Sequence, residues 1–591
     1  MKCATMRRLH TAATVLSAAV LTASLAAGAL AQAPSVPRES VVMRAARDEL
    51  ARTMAQLNIE KAERPYFVAY TVTESEWSSV AASVGSLLSS SRGRTRMLRV
   101  EVRVGDYAFD NTNFARSPGA GAPGSLTYFG MAELPLDDDY MQLRRQIWLA
   151  TDGAYKAAVE GIAGKRAALL NRTRTDSLPD FTREDVTQTT DELPSVAFDV
   201  ATGEALVRAL SQGGASPGIY TSSVSMSANY SRTFYINSEG TTYVRTRPIV
   251  TLSASASTQA ADGMPLSTSW REYARSMDAL PNPAQAKAKV GEMLATLDTV
   301  RGAPQLDRYN GPVLFEGRAA AELFSEQFAP ALSARRKTVS GNAQNEMFAA
   351  LMSGPTSRVG SLSEKLGARV LPDFISVVDD PTRAESKGVP LLGGYVVDDQ
   401  GVRARPTRLV ESGILKTFLA GRTPVEGAPR STGNYRGSGA VPSNMVVEVT
   451  GGLDDAALRE RLLALAKTRG LPFAIIIRDL GASGSPTDPA TMMAEMMGAG
   501  RSAADRGRIV FRAYKLFADG HEEPVRGAQL MGLGLDMFKG IVAASAGTSV
   551  LLGISLSAFV VPSLLFDDLT LVKRTDELPK PPFSVPPEGT R

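Results

Sequence analysis

Residues Tyr309–Arg336 read YNGPVLFEGRAAAELFSEQFAPALSARR. Pro312 to Phe315 is a short apolar strand that meets Gly317, and the spacing of Ala319, Leu323, Ala331 and Leu332 predicts an amphipathic helix after it, with Pro330 near its last turns. Glu322 and Glu326, four apart, are expected on the solvated face of the helix.

Outward towards the C-terminus the pattern is mainly β. Val370 to Asp379, Gly394 to Val397 and Thr407 to Leu419 read as strands between Gly, Pro and Asp turns. A helix is expected over Asp454–Arg469, then strands at Phe473–Arg478 and Ile509–Phe517, a hairpin turn at Asp519-Gly520 and a further strand near Glu523. Thr491 to Met497 is a Met-rich helical insertion. Ile541 to Val561 carries no charge and is long enough to cross a bilayer, but Ser545, Gly547, Gly553, Ser555 and Ser557 divide it into strand lengths, so buried strands are expected. The tail from Lys580 is Pro-rich and extended.

Outward towards the N-terminus, Pro283–Thr299 reads as a helix and residues 195–270 as β-rich, with Ser238-Glu239-Gly240 turning between Thr233–Asn237 and Thr242–Arg245. Val41, Ala45, Leu50, Met54 and Leu57 predict a helix over Arg38–Leu57; Tyr66–Glu74, Val80–Leu88 and Leu98–Val104 predict strands. Ala115–Ser125 is a Gly/Pro/Ser loop. Asp137–Asp139 cap a long helix from Tyr140, whose Leu143, Ile147, Ala150, Ala154, Ala158 and Ile162 share a face that covers the first sheet. The fold class expected is α+β: an N-terminal α+β domain (38–190) with antiparallel sheet and long helices, a β-rich middle region (191–300) completing that half, and a mainly-β C-terminal domain (305–575).

At 591 residues, 44% apolar and 21% charged, the chain supports more than one core and is not a disordered composition. Lys2, Arg7 and Arg8, the apolar run Thr14–Leu25 and Ala29-Leu30-Ala31 form an export signal, with cleavage expected after Ala31 or alternatively Ala33. The mature chain is expected in the periplasm or outside the cell. The signal holds three of the 65 basic residues and none of the 61 acidic ones, so the mature chain has no basic excess to suit nucleic acid. It also takes away Cys3 and His10, leaving no Cys and the single His521. Disulfides, thiol catalysis and thiolate metal sites are thereby excluded.

That inventory also weighs on catalysis. His521 is expected to be exposed in its turn. Gly214-Ala215-Ser216-Pro217-Gly218 matches a nucleophile-elbow pattern but lacks the preceding strand and following helix. Gly161 to Arg166 imitates part of a phosphate-binding loop at the wrong spacing and inside a predicted helix.

Several stretches together carry a resemblance: the strand–helix segment at 309–336, Leu366-Gly367 leading to Val378-Asp379-Asp380-Pro381-Thr382, Asp398-Asp399-Gln400-Gly401 with Thr407–Leu419, and Ser431-Thr432-Gly433-Asn434. Over about 310–574 the chain resembles the TldD/PmbA (TldD/TldE) family of metalloprotease-like proteins. In the catalytic branch of that family the strand–helix segment carries a zinc-binding His-Glu-x-x-x-His. Here the corresponding residues are Phe315-Glu316-Gly317-Arg318-Ala319-Ala320, so both histidines are replaced and Glu316 is left as a relic of the general-base position. Hydrolytic zinc needs three protein ligands and an open water position, which this chain does not supply in the family's manner. The resemblance therefore implies the zinc-free TldE/PmbA branch: no cofactor, no metal, and whether there is catalysis left open. It further implies binding of a peptide or unfolded protein segment by strand addition, with Ser431, Thr432, Gly433 and Asn434 near substrate, and a homo- or hetero-oligomer with a TldD/TldE-type chain. The alternatives are an autonomous hydrolase with an unrecognised site and a non-enzymatic envelope protein.

Overall fold

Alternation of side chains decides the first half. The computed structural model describes residues 39–58, 60, 62–115, 129–170, 176–216, 218–340, 359–481, 507–553 and 556–574. The export signal, most of the 115–125 loop, the 491–497 stretch and the tail from Lys580 lie outside them.

Helix α1 (Val41–Gln56) begins at Ser40, whose Oγ accepts the Met43 N–H at 3.1 Å, and α2 (Tyr140–Leu169) begins at Asp139, whose carboxylate accepts the Gln142 N–H at 2.8 Å. Leu143, Ile147, Ala154, Ala158 and Ile162 of α2 pack with Val42, Ala46 and Leu50 of α1 onto strands β1 (Pro65–Ser83) and β2 (Ser86–Val104). These two strands are a single hairpin. Its turn is Val84-Gly85, with φ of +50° and +80°, the left-handed pair whose twist matches that of the flanking strands. The strand expected across Val80–Leu88 is therefore wrong: the chain reverses inside it. A Val in the first turn position gives none of the usual Asn-Gly signal.

The remaining strands of this sheet are β3 (Phe129–Glu133), β4 (Gln188–Asp191), β5 (Thr221–Asn237), β6 (Thr242–Gln259) and β7 (Pro265–Ala274). They join the hairpin in one sheet of order β3-β2-β1-β5-β6-β4, with β7 also on β6. Gly240, at φ +97°, makes the turn between β5 and β6. Along β6 the even residues from Thr246 to Ala256 are buried, and the odd ones lie on the opposite face. Two further helices cover the even face: α3 (Val200–Ser211), which the β-rich reading of 195–270 did not anticipate, and α4 (Pro283–Gly302). Val207, Leu210, Val290 and Leu297 pack there against Val80, Val250 and Leu252.

Among the described residues the main sheet of the second half has eleven strands: β8 (Arg308–Phe315), β9 (Ile375–Asp379), β10 (Thr407–Glu411), β11 (Ile414–Leu415), β12 (Asn444–Val449), β13 (Ala474–Leu480), β14 (Arg508–Leu516), β15 (Glu522–Val525), β16 (Ala528–Leu530), β17 (Ile541–Leu552) and β18 (Ala558–Lys573). Their order is β11-β10-β9-β12-β18-β16-β14-β13-β8, with β15 on β14 and β17 on β18. A further pairing of β8 with β18 closes β8, β13, β14, β16 and β18 into a ring. The uncharged Ile541–Val561 run is thus part of β17 and β18, and no helix among the described residues is long and apolar enough to cross a membrane. Gly394–Val397 is no strand; only Val397 makes an isolated bridge, to Arg403. Helix α6 (Asp455–Thr468) is capped by Asp454.

Helix α5 (Arg318–Leu323), extended by a wide turn at Phe324–Phe328 and a tight one at Ala329–Leu332, differs from the amphipathic helix expected. Ala319, Ala320, Ala321, Leu323, Phe324, Phe328, Ala331 and Leu332 are all buried, because the segment is embedded in the core of the second half.

The halves are joined by buried polar contacts. Arg422, 1% exposed, donates to both carboxylate oxygens of Glu239 at 2.7 and 2.8 Å and to the Thr182 carbonyl at 3.0 and 2.6 Å, with its guanidinium 3.9 Å from the Phe181 ring centre.

Candidate functional site

The strand–helix junction sets the geometry. Phe315 pairs with Ile477 in the parallel β8–β13 ladder, and the Glu316 N–H donates to the Ile477 carbonyl at 2.9 Å, so Glu316 emerges beside Arg478. Arg478 Nε donates to one Glu316 oxygen at 2.8 Å and Arg459 Nε of α6 to the other at 2.9 Å. Both arginines also reach Glu522 at the start of β15, at 2.8 and 3.2 Å. Four alternating charges close on themselves. Burial works against the Arg478 charge, but Glu522 and Glu316 outweigh it and hold its guanidinium above the ordinary value. Gly317 takes φ +53° at the start of α5, and its N–H donates to Ser563 Oγ at 3.1 Å.

Phe315 and Ala320, flanking Glu316, face into the apolar core, with the Phe315 ring edge-on to Phe566 at 5.3 Å. A phenyl ring and a methyl group offer no donor atom, so this junction does not fit a zinc ion. Among the described residues, no group of three or more His, Cys, Asp or Glu is arranged to hold a metal.

Glu322 is not solvated as expected. It is 8% exposed, with one oxygen taking the Arg318 Nε–H at 2.6 Å and the other the Leu480 N–H at 3.0 Å, because α5 is enclosed. Glu326 stays near the surface and pairs with Arg508 at 3.0 Å. Beside Glu322 lies Asp479, which burial and the Glu322 charge push up to about 6 although Arg318, Arg512 and Arg508 oppose the shift.

Ser431, Thr432 and Asn434 are buried. Ser431 Oγ and Thr432 Oγ1 donate to the Ala420 carbonyl, and Asn434 Nδ2 donates to Asp379 at 2.6 Å, leaving Asn434 Oδ1 unpaired. Gly433 needs its φ of +77°, since a Cβ there would lie 2.4 Å from the Arg403 carbonyl oxygen.

The other motifs stay apart from this junction. His521 is exposed in its turn, stacked on Phe517 at 4.3 Å and bonded to Asp519 at 2.7 Å. Ser216 follows a tight turn at Gln212–Ala215, with no strand leading into it. Lys165 lies inside α2, buried against Asp180 at 2.5 Å. Sequence reading missed Arg459, Arg478 and Glu522 as neighbours of Glu316; they come from three distant elements and share no spacing with it.

Residues 308–573, the whole of the second sheet, match the PmbA/TldA metallopeptidase C-terminal domain. The second half of the chain is thus a domain of the TldD/PmbA type. A metalloprotease of Methanocaldococcus jannaschii is 40% identical over 81 residues, 13% of this chain and 16% of that protein. A metalloprotease of Archaeoglobus fulgidus is 35% identical over 89 residues, 15% of this chain and 19% of that protein. The matched stretch thus spans less than a fifth of either curated relative.

Solved structures show the same fold over nearly the whole chain. A proposed modulator of DNA gyrase from Thermotoga maritima superposes with a TM-score of 0.58 at 17% identity, covering 89% of this chain and 99% of that one. TldE from Thermococcus kodakarensis superposes with a TM-score of 0.54 at 13% identity, covering 90% and 100%.

Proposed function

We propose that this chain is a zinc-free, peptide-binding TldD/PmbA protein of the TldE/PmbA type, exported to the periplasm or beyond and working as the non-catalytic partner or homologue of a TldD-type protease. One observation carries the reading. Phe315 and Ala320, where the catalytic branch is expected to carry zinc-binding histidines, are core residues, while Glu316 is held by two guanidiniums instead of facing a metal-bound water. A carboxylate with a guanidinium on each oxygen anchors those two side chains in place. The β-rich second half supports binding of an extended peptide. Main-chain hydrogen bonds to a strand give affinity with little dependence on sequence, and among the described residues, beyond the Leu453–Ser545 bridge, β17 is paired only with β18.

The test is reconstitution. The chain is mixed with a TldD-type homologue that retains both histidines, and assembly and cleavage of an unfolded protein are followed together. A stable complex with faster cleavage than the homologue alone is expected. No assembly and no effect on cleavage would reject the partner role.

A further inference from the structure

The sheet of the first half has one face under helices and one that meets the second half. Tyr243, Arg245 and Arg247, successive odd residues of β6, lie on the second face, and Arg275 follows β7 on the same side. Arg245 donates to Asp399 at 2.5 Å and to the Val397 carbonyl at 2.9 Å. Arg247 donates to Asp191 at 3.0 Å and Arg275 to the Leu392 carbonyl at 2.8 Å. Beyond these bonds, Arg245 Nε, Arg247 Nη2, Arg275 Nη1 and Tyr243 Oη are buried with no hydrogen-bond partner.

Three guanidiniums thus share two hydrogen-bonded carboxylates, with the buried Asp398 near enough to act on Arg245 as well. Burial and the neighbouring Arg245 lower the Arg247 guanidinium to about 10 in spite of Asp191, and burial also lowers Arg275. A buried donor left without a partner costs about 1–3 kcal/mol, and more on a charged group. An anion here would satisfy the donors and balance the charge. Forked, planar donors suit a carboxylate. The cluster is not sealed, since Arg247 and Asp191 side chains each remain 19% exposed.

The same face says what would carry the carboxylate. Further along β6, past Ile249, its odd residues are Thr251, Ser253 and Ser255, opposite Ser227, Ser225 and Ser223 of β5, all partly or fully exposed. Ordinary protein surfaces are about a quarter to a third charged. A floor of hydroxyls, flanked on β7 by Tyr273 and the exposed Arg271 opposite Thr251 and Ser253, offers donors and acceptors to an extended main chain.

We propose that Tyr243, Arg245, Arg247 and Arg275 form a carboxylate-binding site, and that the carboxylate belongs to an extended peptide lying along the hydroxyl-lined face. The site rests on the peptide-binding reading above and adds the position and chemistry of one end. Its test is calorimetry on the full chain with a Ser/Ala decapeptide in three forms: free C-terminus, C-terminal amide, and amide with one internal Glu. The free acid is expected to bind at least about tenfold tighter than the amide, a difference of about 1.4 kcal/mol. Arg247→Gln and Arg275→Gln should abolish that preference while leaving the amide's affinity unchanged. If the Glu-containing amide binds like the acid, the site holds and its carboxylate is a side chain's. Equal binding of acid and amide to the unmodified chain overturns the site but leaves peptide binding standing. No binding of any form overturns both.

Discussion

At Arg422 a charge is almost wholly removed from water and satisfied by one carboxylate, one carbonyl and an aromatic face. Removing one member of such a buried pair leaves the other uncompensated, which typically costs about 3–5 kcal/mol. Glu239→Ala is therefore expected to lower unfolding free energy by that amount in urea titration, and Arg422→Met by less, because the Glu239 left behind is partly exposed and keeps its hydrogen bond from Tyr107. Asp479 gives the opposite dependence. Its carboxyl titrates near 6 in the folded chain, above the ordinary value near 3.8, so folding favours the protonated form. Stability linked to it is fully present below the unfolded value and is lost as pH rises through about 6. Asp479→Asn should therefore raise the urea midpoint at pH 8 and leave it nearly unchanged at pH 4. A larger gain at pH 4 would contradict the sign. Little at this scale was legible in the sequence. The alternate arginines at 245 and 247 are visible as a strand pattern, but Asp399, Val397 and Leu392 come from a distant loop that no spacing connects to them.

Among the elements, most helices with one wet face were readable, α3 excepted. The expected helices over Arg38–Leu57, from Tyr140, over Pro283–Thr299 and over Asp454–Arg469 lie within a few residues of α1, α2, α4 and α6. Helix α5 was readable as a helix and misread as a surface one. A helix buried all round carries no stripe, and Glu322 was assigned to water because its partners, Arg318 and the Leu480 N–H, become visible only once the ring of strands is closed. Close packing around α5 makes size changes there expensive. Ala320→Leu should cost about 1–3 kcal/mol by overpacking, and Phe315→Ala about 3–5 kcal/mol by leaving a cavity, both read from chemical denaturation. At the turn carrying Gly433, alanine should be worse tolerated than at Gly437. Both have positive φ, but only position 433 would drive a Cβ into a carbonyl oxygen.

Across the whole molecule, an antiparallel sheet clad in helices is docked on a mainly-β half through buried arginine contacts, in the fold shared with TldD/PmbA proteins. The α+β class followed from the periodicities. Closure of the ring through β8 and β18 did not, because it pairs residues hundreds of positions apart. The central claim is that this arrangement has kept a surface for peptide while the strand–helix junction has lost the means to cut it. Metal analysis of the isolated chain, combined with an assay of the same sample for binding and cleavage of an unfolded polypeptide, tests it most directly. The account predicts binding, zinc far below one per chain and no cleavage. One tightly held zinc per chain, with cleavage abolished by a chelator, would contradict it.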